Sequence, residues 1–523
     1  MKRFVFSFLL LCGTMAQAQE YVTCNTYNDY NDFEKAKLCL NSLESRFAKD
    51  PAFYYYKMQQ AISSKDQVTA KKLMDEVGAF PANDFHVLSA KTSYLVFTQD
   101  IPLAKATYES VLKNHKLAPV AVILNVARTF ISFKTRDADY TLLWLNTLEK
   151  ELKQPHAGWL MLKGDYYYSL SDYGNALNNY NLVIDAEPGN ALAYYKKAVS
   201  YGAIKNPTAA LNEIEVALKL RPDFPAAILE KGETLLELHR YDEGKIAYEQ
   251  YFKLVPGDNL AHLRYGSALF SMKKYEEARM EAELVLKNDE NNISAKKLKA
   301  YSLYELQQYV EGQAVLLNYM AVIDTAAITY RDYDYLAHFY IKNGSDSLAI
   351  ETFKKGLTYQ GATSEAFSEA GSLMVKKNHY ADALVTYQAK LLLYNGSSAD
   401  YYNYGRSALA LEDYVLADSL FAKVCEMQPL WPNGFLMRAN ANAHLDPGST
   451  SGKALPYYEQ FVMLAEADVP NAAKYKSGLM EAYRYLGYFH YLSKNIEKSK
   501  FYWKKVLELD PNDKQAKDVM KQL

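Results

Sequence analysis

Cysteine is scarce: four residues in a chain of 523. That is too few for a disulfide-built scaffold, and no spacing matches a zinc site. Beyond the first dozen residues no apolar run reaches the ~18 residues that a membrane helix needs, so no transmembrane segment is expected. Neither sign of charge dominates, with 59 basic and 61 acidic residues and a net charge of −2. There is no basic excess to hold nucleic acid, so no nucleic-acid partner is expected. Motifs of catalysis are missing too: no HExxH, P-loop, GxSxG or GxGxxG occurs, and the nine histidines form no tight pair. The expectation is therefore no enzyme, with no catalytic residue, no cofactor and no metal. The best local constellation is Asp332, Asp334 and His338, the last two sharing a helical face at i,i+4. A metal site would need further ligands, so the pair reads as hydrogen-bonded on an exposed face.

The first 18 residues read apart from the fold. Lys2 and Arg3 are followed by the short apolar run Phe4 to Cys12 and by Ala16-Gln17-Ala18. That is the pattern of a secretory signal peptide, with the mature chain starting near Gln19 and an exported, periplasmic or envelope-associated location. Lipidation at Cys12 is the rival, disfavoured by Leu11 where a small residue is wanted. After cleavage Cys24, Cys39 and Cys425 remain. The first two lie 15 apart, and an exported chain can oxidise them; two buried thiols are the alternative.

What is present in abundance is a period. Gly164, Ala198 and Gly232 are 34 residues apart, as are Ala176, Ala210 and Gly244, Tyr180, Ile214 and Tyr248, and Pro188, Pro222 and Pro256. A fixed period in this range marks a repeat architecture. Each unit carries two helical patterns of about a dozen residues. The small residues let the two helices cross closely, the large residue four positions after the second one fills the space beside the crossing, and the proline ends the second helix. One pair cannot bury its own apolar face, so neighbours must stack.

The residues Gly164, Tyr167, Ala176, Tyr180 and Pro188, with their counterparts in 191–224 and 225–258, resemble the tetratricopeptide repeat family. Its pattern has a small residue at position 8, Tyr or Leu at 11, Ala at 20, a large residue at 24 and Pro at 32 of a 34-residue helix-turn-helix. The family's Trp at position 4 is absent. The register extends upstream through Ala36, Ala70 and Ala104 and a degenerate unit at 120–156, where Trp144 sits in the second helix. Downstream it runs through Ala278 and Gly312. Three extra residues enter around Ile323 to Thr329, and the series resumes with Ala349, Ala383, Ala417, Ala454 and Ser499. That makes about 14 units, closed by a capping helix with Ala516, Val519 and Met520 on one face. The resemblance implies an all-α, right-handed α-solenoid. The expected organisation is a signal peptide at 1–18, degenerate units at 19–156, regular units at 157–326 and C-terminal units at 327–523.

Tyrosine is abundant, 46 residues in all. Most fill bulky packing positions, and the rest are expected to line a groove. In the family the first helices form the concave wall, and positions 2, 5, 9 and 12 point inward. Carried over, these give Tyr195, Glu233, Tyr301, Tyr335 (one position off), His338, Tyr402 and Arg406. The set lacks the paired Lys and Asn that hold a peptide C-terminal carboxylate. The resemblance implies a non-catalytic envelope scaffold that binds protein partners, in outer-membrane assembly, secretion or motility machinery. The alternative is a glycan- or peptidoglycan-binding module that uses the groove tyrosines as sugar platforms.

Overall fold

The local rule that builds the chain lies in the turn inside each helix pair. The computed structural model describes residues 20–21, 23–113, 120–133 and 156–523, and these form helices and turns with no strand among them. The first helix of a pair ends on a residue in the left-handed region. Ser171, Lys205, His239, Lys273 and Gln307, spaced 34 apart, all have φ of 60–62°. Gly344, Asn378 and Glu412 continue the series after the insertion. The next N–H then reaches back to the carbonyl five residues earlier: Asp66 to Ala61 at 2.8 Å, Asp172 to Tyr167 at 2.9 Å and Asp413 to Ala408 at 2.9 Å. This is the Schellman closure, which satisfies carbonyls orphaned at the helix end. The same residue opens the second helix. Asp66, Asp172, Asn206, Asp413 and Asn495 each accept a bond from the backbone N–H three residues on. One residue thus closes one helix and caps the next, and a left-handed residue that costs about 1–2 kcal/mol is offset by bonds on both sides.

Packing across each pair follows the small–large pairing. An added Cβ at Gly164 would lie 2.4 Å from the Tyr180 ring, at Gly371 2.6 Å from Tyr387, at Gly405 2.7 Å from Phe421 and at Gly487 2.8 Å from Trp503. The four aromatic residues are buried. Where the small residue is Ala198 or Ala300, the facing residue is the aliphatic Ile214 or Leu316, also buried.

By its contacts the chain divides into two compact units, 1–268 and 269–523, with the division inside the helix Asn259–Ser271. In the first, Phe33–Phe47 leads into the pairs Pro51–Ser63 with Gln67–Val77 and Phe85–Phe97 with Ile101–Lys113, then the helix Val120–Ser132. The pairs beginning at Ala157, Ala191 and Pro225 follow. The signal-peptide reading and the expected second helix of the 120–156 unit, with Trp144, lie outside the described residues. In the second unit, pairs begin at Ile293, Tyr330, Ser364, Ser398, Pro432 and Ala472, and Lys514–Gln522 ends the series. Ala516 of that last helix is buried, with Val519 and Met520 against the same core. The three extra residues form a short 3-10 turn, Thr325–Ala327. Packing continues across it: Phe339 touches the site of the Cβ that Gly312 lacks, and Tyr304 meets Phe339 edge-on at 5.2 Å.

Candidate binding surface

In the second unit the first helices Ile293–Glu305 and Tyr330–Lys342 bring three of the sequence-derived groove residues into relation, beside the next first helix Ser364–Lys376. Tyr301 and Tyr335 come from successive first helices and stack with centroids 3.9 Å apart. Tyr301 is only 5% exposed, so it supports the wall rather than forming it, which corrects its expected role as a contact residue. Its hydroxyl donates to Asp332 at 2.7 Å. Asp332 is fully buried and also takes Lys297 at 2.9 Å and the Thr329 N–H at 2.8 Å. It belongs to a capping box and points into the core, away from Asp334 and His338.

Tyr335 donates to Glu305 at 3.0 Å, and the Arg331 guanidinium lies over the rings of Tyr301 and Tyr335. His338 has Nδ1 2.8 Å from the Asp334 carbonyl oxygen and Nε2 2.8 Å from Glu369 Oε1. The Glu369 hydrogen bond, against the opposing pull of burial, raises the His338 pKa to about 9. The same bond holds Glu369 below the usual carboxylate range, whereas burial pushes Asp334 up. A cavity of about 320 Å³ opens between Tyr304, Glu305, Arg331, Asp334, Tyr335 and His338. Its walls offer cations, carboxylates and aromatic edges together, the mixture that a polypeptide segment can satisfy.

Tyr402 and Arg406 lie apart from this cavity. The Tyr402 ring is packed edge-on against Trp431 at 4.9 Å and Phe421 at 6.0 Å. Burial raises its pKa, and the Arg406 charge opposes that rise. Nearby, Lys390 and Asp400, each 3% exposed, pair at 2.6 Å. Ser368 hydrogen-bonds to both. This clamp ties three successive helices and was not anticipated from the sequence.

In the first unit Tyr195 packs on Phe224 at 4.9 Å, and Glu233 pairs with Arg264 at 3.2 Å. Burial, helped by the Glu233 charge, raises the neighbouring Glu230 carboxyl to about 7. The unexpected feature is the N-terminal segment. Cys24 is joined to Cys39, with Cα atoms 5.5 Å apart. Tyr21 bonds to Asp50 and packs on Phe47 at 4.9 Å. Further along, Asp29 pairs with Arg128 at 2.7 Å, and the Tyr30 ring lies edge-on to Phe224 at 4.7 Å and under the Arg221 guanidinium at 3.8 Å. The segment therefore bridges the first helix pairs to the loop before Pro225.

The residues missed in the second unit are Glu305, Arg331 and Glu369. Arg331 occupies position 2 of its repeat, so the inward-position rule already contained it. Glu369, one position off like Tyr335, is visible only once the neighbouring repeat is placed beside His338.

Sequence profiles described as tetratricopeptide repeat match residues 161–226, 229–293 and 480–513. The chain carries tetratricopeptide repeats. The matched stretches agree in register with the turns and crossings above. Human DnaJ homolog subfamily C member 3 is 32% identical over 82 residues, 16% of this chain and 16% of that protein. A STIP1 homolog from Dictyostelium discoideum is 27% identical over 94 residues, 18% and 17% of the two chains. The tetratricopeptide chain thus spans about a sixth of the length of these relatives. Among solved structures, the C-terminal part of a TPR repeat-containing protein from Cytophaga hutchinsonii is 29% identical and covers 49% of this chain and 98% of its own, with a TM-score of 0.39. The matched profiles describe a repeat and no catalytic domain. Among the described residues no helix is long and apolar enough to cross a membrane.

Proposed function

We propose that this tetratricopeptide-repeat protein is a non-catalytic, exported scaffold of the cell envelope that docks a segment of a protein partner on the first helices of its second unit, in assembly, secretion or motility machinery. One observation carries the reading: the open cavity in which Arg331, His338, Glu305 and Asp334 surround the edges of Tyr304 and Tyr335. Cations, acids and aromatic edges at one opening suit the backbone and mixed side chains of a polypeptide. Export is supported by the leader-like start of the sequence and by the Cys24–Cys39 pairing, a bond at home in an oxidising compartment. The glycan alternative has less support. Tyr335 already carries Tyr301 on its face, and Tyr402 is packed against Trp431 and Phe421, so these rings offer little free platform for a sugar. The test is affinity capture of the protein from gently crosslinked cells, beside an Arg331→Ala/Tyr335→Ala variant. Envelope proteins that co-purify with the parent and are lost from the variant support the reading. Capture that is unchanged in the variant, or glycan fragments without protein, overturns it.

A further inference from the structure

His338 has its ring tautomer fixed by the fold. Nδ1 sits 2.8 Å from the carbonyl oxygen of Asp334, one turn back on the same helix, so the hydrogen of the neutral ring belongs on Nδ1. The Nε2 lone pair then faces Glu369 Oε1 at 2.8 Å. At that distance a hydrogen or a metal ion must lie between the two atoms, and in the metal-free protein it is the second proton of the imidazolium. The Asp334 carboxylate, itself accepting from the Tyr330 hydroxyl at 3.0 Å, lies 3.5 Å from Nδ1 of the same ring. One ligand-type atom from each of Asp334, His338 and Glu369 falls within 4.8 Å of the others.

We propose that Asp334, His338 and Glu369 form a binding site for one divalent transition cation of the zinc type. An imidazole nitrogen with two carboxylate oxygens is a donor set for zinc and its neighbours, whereas calcium and magnesium favour oxygen alone. The arrangement beyond the ligands fits as well. A ligating histidine characteristically donates its other N–H to a carbonyl or carboxylate, and the Asp334 carbonyl is in place to accept it. Metal–ligand bonds of about 2.0–2.2 Å require the His338–Glu369 pair to open slightly. The Glu369 side chain, 53% exposed, has room to do so. The cavity beside Tyr304 and Glu305 leaves one side of the cluster open for water or a further ligand. The site stands whether or not a protein docks at this face.

The test is calorimetric titration of Zn²⁺ into the tag-free chain from Gln19, stripped of metal beforehand. One ion per chain is expected, with proton release that appears as a dependence of the heat on the buffer. His338→Ala and Glu369→Gln should each weaken binding by about 10-fold or more, while His379→Ala, on an exposed turn, should leave it unchanged. Hydrogen exchange over the helix Tyr330–Lys342 checks that each variant keeps its fold. No binding by the folded parent, binding that survives both ligand substitutions, or equal loss in His379→Ala would each overturn the proposal and leave the His338–Glu369 contact as a shared proton.

Discussion

Gly405→Ala isolates the packing rule on which every repeat depends. A Cβ at position 405 would meet three atoms of the Phe421 ring at 2.7, 2.9 and 3.0 Å. Phe421 is fully buried, so the ring cannot swing into solvent. Overpacking of this kind costs about 1–3 kcal/mol, and with the ring walled in the upper half of that range applies. Against it, alanine in a helix interior gains about 1 kcal/mol over glycine. The net is a destabilisation of about 1–2 kcal/mol. Phe421→Ile alone should also destabilise, because it leaves a cavity. Together the two changes recreate the Ala198–Ile214 pairing of the 191–224 repeat, so the double variant should be more stable than the sum of the singles by about 0.5–3 kcal/mol. A long repeat array does not unfold in one step, so the assay is native-state hydrogen exchange over the helices Ser398–Ala410 and Tyr414–Met427. Each 1.4 kcal/mol appears as about a tenfold change in protection. Raised protection in Gly405→Ala, or strict additivity in the double variant, would refute the small–large pairing as the determinant of the crossing.

Other expectations follow from named contacts. Lys390→Ala strands the buried Asp400 carboxylate and should destabilise the helix Ser398–Ala410 by about 3–5 kcal/mol, read by the same exchange assay; a change below 1 kcal/mol would mean that the Ser368 and Ser397 bonds suffice. Burial pushes Asp400 upward, but Lys390 and Ser397 hold it below the usual carboxylate range, so its contribution is present above the unfolded carboxylate pKa and is lost as pH falls through the lowered folded value. For His338 the sign is reversed: with the metal-free pKa raised from 6.5 to about 9, its ion pair is fully present below about pH 6.5 and is lost as pH rises through about 9. An NMR titration of the His338 ring that gives a midpoint near 6.5 would contradict that pairing. Opening the Cys24–Cys39 bond releases a short loop worth about 3 kcal/mol, so Cys24→Ser should make residues 20–32 sensitive to protease; unchanged resistance would place the hold in Asp29–Arg128 and Tyr30–Phe224 instead.

The repeat was legible because its determinants are residue types at fixed spacing. Gly164 against Tyr180 and the prolines that end second helices state the crossing and the period directly. The turn was less legible. Among the described turns its left-handed residue is serine, lysine, histidine, glutamine, asparagine or glutamate at most positions, with glycine at Gly344, so composition does not reveal the conformation that the Schellman bonds impose. The groove was legible as a set of positions but not as a surface. Tyr301 and Tyr335 share the expected wall, yet the buried Asp332 draws the Tyr301 hydroxyl inward, and Asp332 is buried because Thr329 and Lys297 satisfy it. Glu369, 31 residues beyond His338, and the reach of Tyr30 to Phe224 arise only from stacking, which carries residues distant in sequence onto one face.

The most direct test of the docking account is hydrogen exchange of the full chain from Gln19 with and without its captured partner. The account predicts added protection on the first helices Ile293–Glu305, Tyr330–Lys342 and Ser364–Lys376, centred on Tyr335 and His338. Protection confined to the second helices of those pairs, or to the first unit, would contradict it.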